Sequence, residues 1–285
     1  MIALRLLAAF LLAALVGALF GWRRTSRQFV DYRTENAPSV ELAEARCPAS
    51  GLIAHWPLDA EEGGFFRDRS GLGHDLAPRT SFAPLAALRF GPVRVEAGRS
   101  GHGVSLRRHQ WLVGPNSRCF VTPTLSVAAW VCLTAAVDVP TIVGKSTWPS
   151  DGFWLLATSS PPLDSSRRLQ LGLASEDGVT HVDADYMLPL GQWHHVAVSL
   201  DAAAREVRFY IDGVQRGDVH RDVPAWRVNT THPFVVGDYD DTGRWPWSGG
   251  IDDVRVWNTV ASPAEIASAF REGGGQSGRT ACTSP

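Results

Sequence analysis

Lysine is almost absent from this chain. Lys145 is the only one, and every other basic residue is arginine. We read that bias, together with the many alanines, as the mark of GC-rich coding sequence and not as a binding surface. Basic residues number 27 and acidic residues 29, a formal net charge of -2. No global positive field exists to draw in nucleic acid, so no nucleic-acid partner is expected. No Cys-x-x-Cys pair occurs among Cys47, Cys119, Cys132 and Cys282, which argues against zinc ribbons and thioredoxin-like redox sites. A Gly-x-Ser-x-Gly elbow and a phosphate loop are also missing, so the common routes to hydrolase and nucleotide chemistry have no motif to stand on.

What is present is apolar, aromatic and rich in turn formers. Hydrophobic residues make up 45% of 285 positions and charged ones 20%, the balance of a chain with a folded core. Gly 27, Pro 18 and Trp 11 favour many short strands joined by turns.

Residues 1–22 read as a signal peptide or a hydrophobic membrane-anchoring helix. Leu6 to Trp22 carry no charge and only Arg5 precedes them, which suits either a cleaved leader or a single span. Arg23, Arg24 and Arg27 follow the segment, which by the positive-inside rule would hold the main domain in the cytoplasm. The cysteines point the other way, to an oxidising compartment. The expected pairing is Cys47–Cys282 with Cys119–Cys132, since a bridge between the first and last strands would staple the ends. The alternative is buried free thiols. On balance the main domain is expected outside the cytoplasm, membrane-anchored or secreted.

Residues 23–50 are polar and read as a linker, 51–272 as the folded domain, and 273–285 as a flexible tail apart from any tether at Cys282. The domain is strand after strand. Leu125 to Leu133 is apolar on both faces. In Glu206 to Ile211, Val207, Phe209 and Ile211 share one face, the period-two pattern of a half-buried antiparallel strand. That segment forms a hairpin with His194 to Asp201. Parity breaks around Ile251 and Asp252, which suggests a bulge or burial on both faces. One helix is clear: Ser262-Pro263-Ala264-Glu265 is a capping box with proline at the first helical position, and Gly273 stops it. The fold class is therefore all-β, an antiparallel β-sandwich with one short C-terminal helix.

Several stretches together resemble the laminin-G-like jelly rolls of the concanavalin A-like lectin/glucanase superfamily. They are "GLIAHWPLD" from Gly51, "RDRSGLGHDL" from Arg67, "GRSGHGVSL" from Gly98, "LSVAAWV" from Leu125, "WHHVAVSLD" with "VRFYIDG", and "WSGGIDDVRVWNTVASPAEI" from Trp247. The resemblance implies two packed sheets with a concave face, rim loops, and a family that includes glycan binders, adhesion domains and enzyme-appended domains. Fold does not decide among these.

The adjacent histidines, His194 and His195, invite a metal or catalytic reading. Neighbours on a strand point to opposite faces, so their rings cannot chelate one ion, and the resemblance makes them scaffold. The superfamily's glucanases carry a Glu-x-Asp-x-Glu-like row, which this chain lacks. Glu206 and Asp212 share parity but would lie about 20 Å apart, too far for glycoside hydrolysis. The chain is therefore expected not to be an enzyme; a carbohydrate-active hydrolase or lyase, or a structural envelope protein, is the alternative. The resemblance also implies calcium, with Asp59, Asp68 and Asp252 as the ligand set, because it brings the first and last strands together. Asp252 could instead brace loop amides.

Two loops remain for recognition. "GDYDDTGRWPW" carries Tyr239, Asp240, Asp241, Arg244 and Trp245, and "STWPSDGFW" carries Trp148. Flat aromatic faces beside hydrogen-bonding groups suit sugar rings, and tryptophan also anchors protein interfaces. Trp247 is assigned to packing. The expected function is non-catalytic binding of a glycan or extracellular protein through these loops.

Overall fold

The computed structural model describes residues 47–80, 91–135, 139–159, 167–275 and 281–282. The apolar segment 1–22 and most of the linker lie outside the described residues. No helix among the described residues is long and apolar enough to cross a membrane.

The first strands are β1 (Leu52–Trp56), β2 (Glu61–Glu62), β3 (Phe65–Phe66), β4 (Ala77–Thr80), β5 (Arg94–Ala97), β6 (His102–Leu106) and β7 (Gln110–Val113). After a 3-10 turn at Arg118–Phe120 come β8 (Leu125–Leu133), β9 (Thr141–Thr147), β10 (Asp151–Ser159), β11 (Arg167–Ser175) and β12 (Gly178–Met187). The chain closes with β13 (His194–Asp201), β14 (Glu206–Ile211), β15 (Val214–His220), β16 (Val235–Val236), β17 (Gly249–Trp257) and helix α1 (Pro263–Glu272).

Two antiparallel sheets form a sandwich. The eight-stranded sheet runs β15-β14-β13-β8-β17-β6-β5, with β1 also on β17. The seven-stranded sheet runs β12-β11-β10-β9-β16-β7-β4. Alternation puts Val127, Ala129 and Val131 of β8, and Val196, Val198 and Leu200 of β13, into the core. They belong to one buried cluster with Phe153, Leu155 and Ala157 of β10 and Leu169, Leu171 and Leu173 of β11. Burying each large aliphatic side chain of this kind contributes roughly 1.5–3 kcal/mol.

The double-faced apolarity of β8 has a direct cause. Its other parity, through Ala128, packs with Ala197, Tyr210 and Trp257 beneath Ile266 and Ala269 of α1. The helix starts as its sequence dictates, with Ser262 accepting from the Glu265 amide and Glu265 reaching back to the Ser262 amide. The expected hairpin forms, with Val196 opposite Ile211 and Asp201 opposite Glu206. β17 carries its bulge between Asp252 and Arg255, with Asp253 at φ 45°, and is buried on both faces.

The disulfides differ from expectation. All four cysteines are bridged, but as Cys47–Cys119 and Cys132–Cys282. β1 and β17 do adjoin, so the premise behind Cys47–Cys282 holds and the conclusion does not. Cys119 lies on the inner side in the main core, where Cys47 packs against it. Cys132 points outward from β8 beside Trp130 and Trp193, where the returning tail brings Cys282. Cys119 and Cys132 thus face opposite sides of the eight-stranded sheet. The tail is pinned further by the Cys282 amide donating to Gly191 O.

Candidate functional site

The two loops expected to carry recognition, far apart in sequence, meet. β16 sits between β9 and β7, so the loop leaving β16 starts alongside β9, whose hairpin with β10 carries Trp148. The 237–247 loop folds back across the outer face of the seven-stranded sheet. Gly144 permits this: a Cβ there would stand 2.2 Å from the Tyr239 carbonyl oxygen. Trp154, outward on β10, lies across Gly172, where any Cβ would meet the indole at 2.0 Å. Tyr239 packs on Trp154 with ring centroids 4.8 Å apart, and Trp245 meets Tyr239 edge-on at 4.7 Å.

At the surface this stack ends in a corner. Trp148 is 47% exposed and meets Trp245 at 5.9 Å with their planes at 81°. The exposed Arg244 lays its guanidinium 5.4 Å over the Trp245 ring. Arg244 has neither an ion pair nor a hydrogen bond among the described residues. Asp240 is half-buried and takes a hydrogen bond from the Thr242 hydroxyl.

The remaining loop residues hold the corner in place. Tyr239, expected to touch ligand, is 1% exposed and belongs to the packing beneath. Asp241 accepts from the Trp111 indole at 2.6 Å, so its carboxylate anchors the loop to β7. Trp247 is fully buried, as expected. The central brace is Asp238, which sequence reasoning missed. It is fully buried and accepts from the Gly243 amide at 2.6 Å and the Trp245 amide at 3.1 Å. Burial pushes its carboxyl up to about 6, against those amides. Its sequence signal was faint: an acid directly after the buried pair Val235-Val236 and a glycine.

The Trp148 hairpin has its own support. Lys145 is 1% exposed and donates to Asn116 Oδ1 at 2.7 Å and to His232 O. Burial lowers its amine to about 7, with the charge of Asp151 opposing. Asp151 in turn accepts from the Thr147 amide and from Asn229 Nδ2 across the turn.

The three aspartates expected at a metal do not converge. Asp68 accepts from the amides of His55, Ser70 and His74 and from the Ser70 hydroxyl, bracing the first Gly-rich loop. Burial raises its carboxyl, but those hydrogen bonds outweigh it and hold it below the usual range. Asp59 and Asp252 do share one turn. Asp59 accepts from the His102 amide, and Asp252 Oδ2 from the Arg99 and Ser100 amides. Asp252 Oδ1 is buried with no hydrogen-bond partner. Burial pushes Asp252 up to about 7, against those two amides and with help from the charges of Asp253 and Asp59. An orphaned carboxylate oxygen next to a second acid is what a cation would satisfy, so Asp59 and Asp252 fit one and Asp68 does not. No group of three or more His, Cys, Asp or Glu at metal-holding positions occurs among the described residues.

The histidines separate as strand parity requires. The His194 ring meets Asp212 at 3.0 Å and Tyr186 at 3.2 Å. His195 is fully buried between Trp130 and Phe270, and burial lowers it to about 4, so it is neutral near pH 7. Glu206 is occupied by Arg208 and Arg221, which leaves no opposed pair with Asp212.

The architecture is that of a two-sheet antiparallel jelly-roll sandwich. The laminin-G family model of the concanavalin A-like lectin/glucanases superfamily matches residues 108–267, and the chain belongs to that superfamily. No curated protein matches the chain in sequence. Among solved structures it is similar to domain 4 of AbnA, a GH43 extracellular arabinanase from Geobacillus stearothermophilus, in complex with arabinotriose. The identity is 20% and the TM-score 0.59, over 78% of this chain and 98% of that one. It is also similar to the binding domain of Paraclostridial mosquitocidal protein 1, at 11% identity and TM-score 0.56, over 78% of this chain and 52% of that one. The receptor binding domain of botulinum neurotoxin mosaic serotype C/D gives 13% identity and TM-score 0.56, over 78% and 50%. The chain thus spans about half the length of the two toxin chains. At these identities the likeness is one of fold.

Proposed function

We propose that this protein is a non-catalytic, exported binding module that recognises a glycan at the Trp148–Trp245 corner. The residue 1–22 segment would serve as its leader or membrane anchor. The carrying observation is the exposed Trp148 set perpendicular to Trp245 on two independently braced loops. Rigid aromatic faces bind sugar rings with little ordering cost. The similar arabinanase domain is seen with arabinotriose, and the similar toxin segments are binding domains, which supports the reading. The two disulfides support an oxidising compartment.

A glycan array probed with wild type and Trp148→Ala tests it. Wild type is expected to bind a defined subset, and the variant to lose at least about tenfold, as for removal of a stacking hot spot. Binding unchanged in the variant would move the site elsewhere.

Calcium belongs to the proposal as a structural brace at Asp59 and Asp252. Millimolar calcium is expected to raise the melting temperature, with chelator reversing the rise and Asp252→Ala abolishing it. An Asp68→Ala variant is expected to be less stable yet to keep the calcium response. A melting temperature indifferent to calcium in wild type would remove the metal from this reading.

A further inference from the structure

A cavity of about 80 Å³ opens where β13 ends, and it shares no residue with the aromatic corner. Leu200, Val223, Pro224 and Trp226 give it apolar walls, and Asp201 and Arg205 are its charged residues. Arg205 and the neighbouring Ala225 are exposed, so the cavity faces solvent on their side. The walls are fixed in place. The Trp226 indole donates to Pro123 O at 2.9 Å, and its ring meets Phe153 edge-on at 5.9 Å. The Val223 amide donates to Arg205 O at 3.1 Å, and Arg205 Nε donates back to Val223 O at 3.0 Å. Arg205 Nη2 reaches Asp222 O at 3.1 Å. These bonds orient the guanidinium and hold Arg205 at φ 56° and Asp222 at φ 58°, left-handed values that cost a non-glycine residue free energy.

Both charged groups are only half used. Among the described residues Arg205 makes no ion pair, and its Nη1 makes no hydrogen bond. Asp201 Oδ1 accepts from the Ala203 and Ala204 amides at 3.0 and 2.9 Å, while Oδ2 accepts from no described residue. From this arrangement we infer that the cavity is a second sugar-binding site, one that takes the acetamido group of an N-acetylated sugar. The methyl fills the apolar slot, the carbonyl oxygen accepts from Arg205 Nη1, and the amide N–H donates to Asp201 Oδ2. Size selects the group. A cavity of about 150 Å³ takes one benzene. About 80 Å³ has room for a methyl and its planar amide but not for a sugar ring, which stays outside against the half-buried Trp226. A hydroxyl in place of the acetamide leaves the slot empty. A free ammonium satisfies Asp201 but stands against Arg205. The site needs neither Trp148 nor Trp245, so it stands apart from the corner.

The test titrates the full protein with the N-acetylglucosamine trimer, its deacetylated form, the matching glucose trimer and an N-acetyl-lysine peptide. The acetylated trimer is expected to bind at least about tenfold more tightly than the other three, since the others lose the methyl burial, the amide hydrogen bonds or the ring contact. Ala225→Leu, which fills the cavity from its exposed side, should abolish that binding at an unchanged melting temperature. Asp201→Asn keeps an oxygen for the two turn amides and should weaken binding several-fold. Trp148→Ala should leave it intact. Equal binding of the acetylated and glucose trimers would overturn the acetamido contact. Acetylated-trimer binding lost in Trp148→Ala but kept in Ala225→Leu would overturn the cavity site while favouring the corner. Tighter binding of the acetyl-lysine peptide, lost in Ala225→Leu, would make the partner a protein and overturn the sugar assignment. Silence toward all four ligands would overturn the inference and leave the corner to its own array.

Discussion

An Asp238→Ala variant is expected to lose about 2–4 kcal/mol of stability and to weaken ligand binding more than tenfold, though Asp238 touches no solvent. The truncation strips the acceptor from two amides inside the loop, those of Gly243 and Trp245. Each unsatisfied buried donor costs about 1–3 kcal/mol. Trp245 and Arg244 hang from that segment, so the corner loses its geometry with its brace. The acid also leaves a pH signature. Its folded value of about 6 lies above the ordinary 3.8, so the folded state holds the proton through that window. Its contribution therefore declines as pH rises from about 4 to 6. Urea titrations at pH 4.5 and 6.5 should show that decline in wild type and a smaller one in the variant. Equal slopes, with binding intact, would contradict the role.

The second large effect concerns Lys145. Its folded value of about 7 lies below the ordinary 10.5, so between those limits the unfolded chain binds the extra proton. Stability should rise with pH from 7 to 9, and the burial cost is fully in force below about 7. Each pH unit inside the window is worth up to about 1.4 kcal/mol. In Lys145→Met that rise is expected to vanish, although the variant leaves Asn116 Oδ1 and His232 O without their donor. Parallel profiles for the two proteins would show that the amine stays charged in the fold.

Much of the scaffold was readable because it obeys local rules. The Val207-Phe209-Ile211 alternation, the Ser262 capping box and the parity break at Asp252 each state their structure within a few residues. The family motifs supplied the two-sheet sandwich and the adjacency of the first and last strands. The two loops proposed for recognition were also visible as aromatic, turn-forming stretches. Their meeting was not. It depends on β16 slotting between β9 and β7, a non-local pairing to which no short window points. The same limit explains Tyr239. Whether an aromatic in a loop faces ligand or sheet depends on what lies beneath it, here Trp154 over Gly172. The disulfide pairing failed for a related reason, since adjacency of β1 and β17 does not say which face the half-cystines look from. Asp68, Asp238 and Asp252 are all aspartates beside glycines or turns. Only their hydrogen-bond partners tell two saturated braces from the acid with an orphaned oxygen.

The two bridges have a mechanical meaning. Cys47 is fastened to Cys119 just before β8, and Cys282 to Cys132 near its end. Tension applied between Cys47 and Cys282 therefore enters at Cys119 and leaves at Cys132, through β8 alone. The segments from 48 to 118 and from 133 to 281 sit inside covalent loops outside that load path. β8 lies between β13 and β17 in the middle of its sheet, so the loaded strand is held from both sides. A pull between the two ends of the domain would therefore stretch it by little more than the slack of one strand, and the Trp148–Trp245 corner, inside the 133–281 loop, would lie off the loaded path.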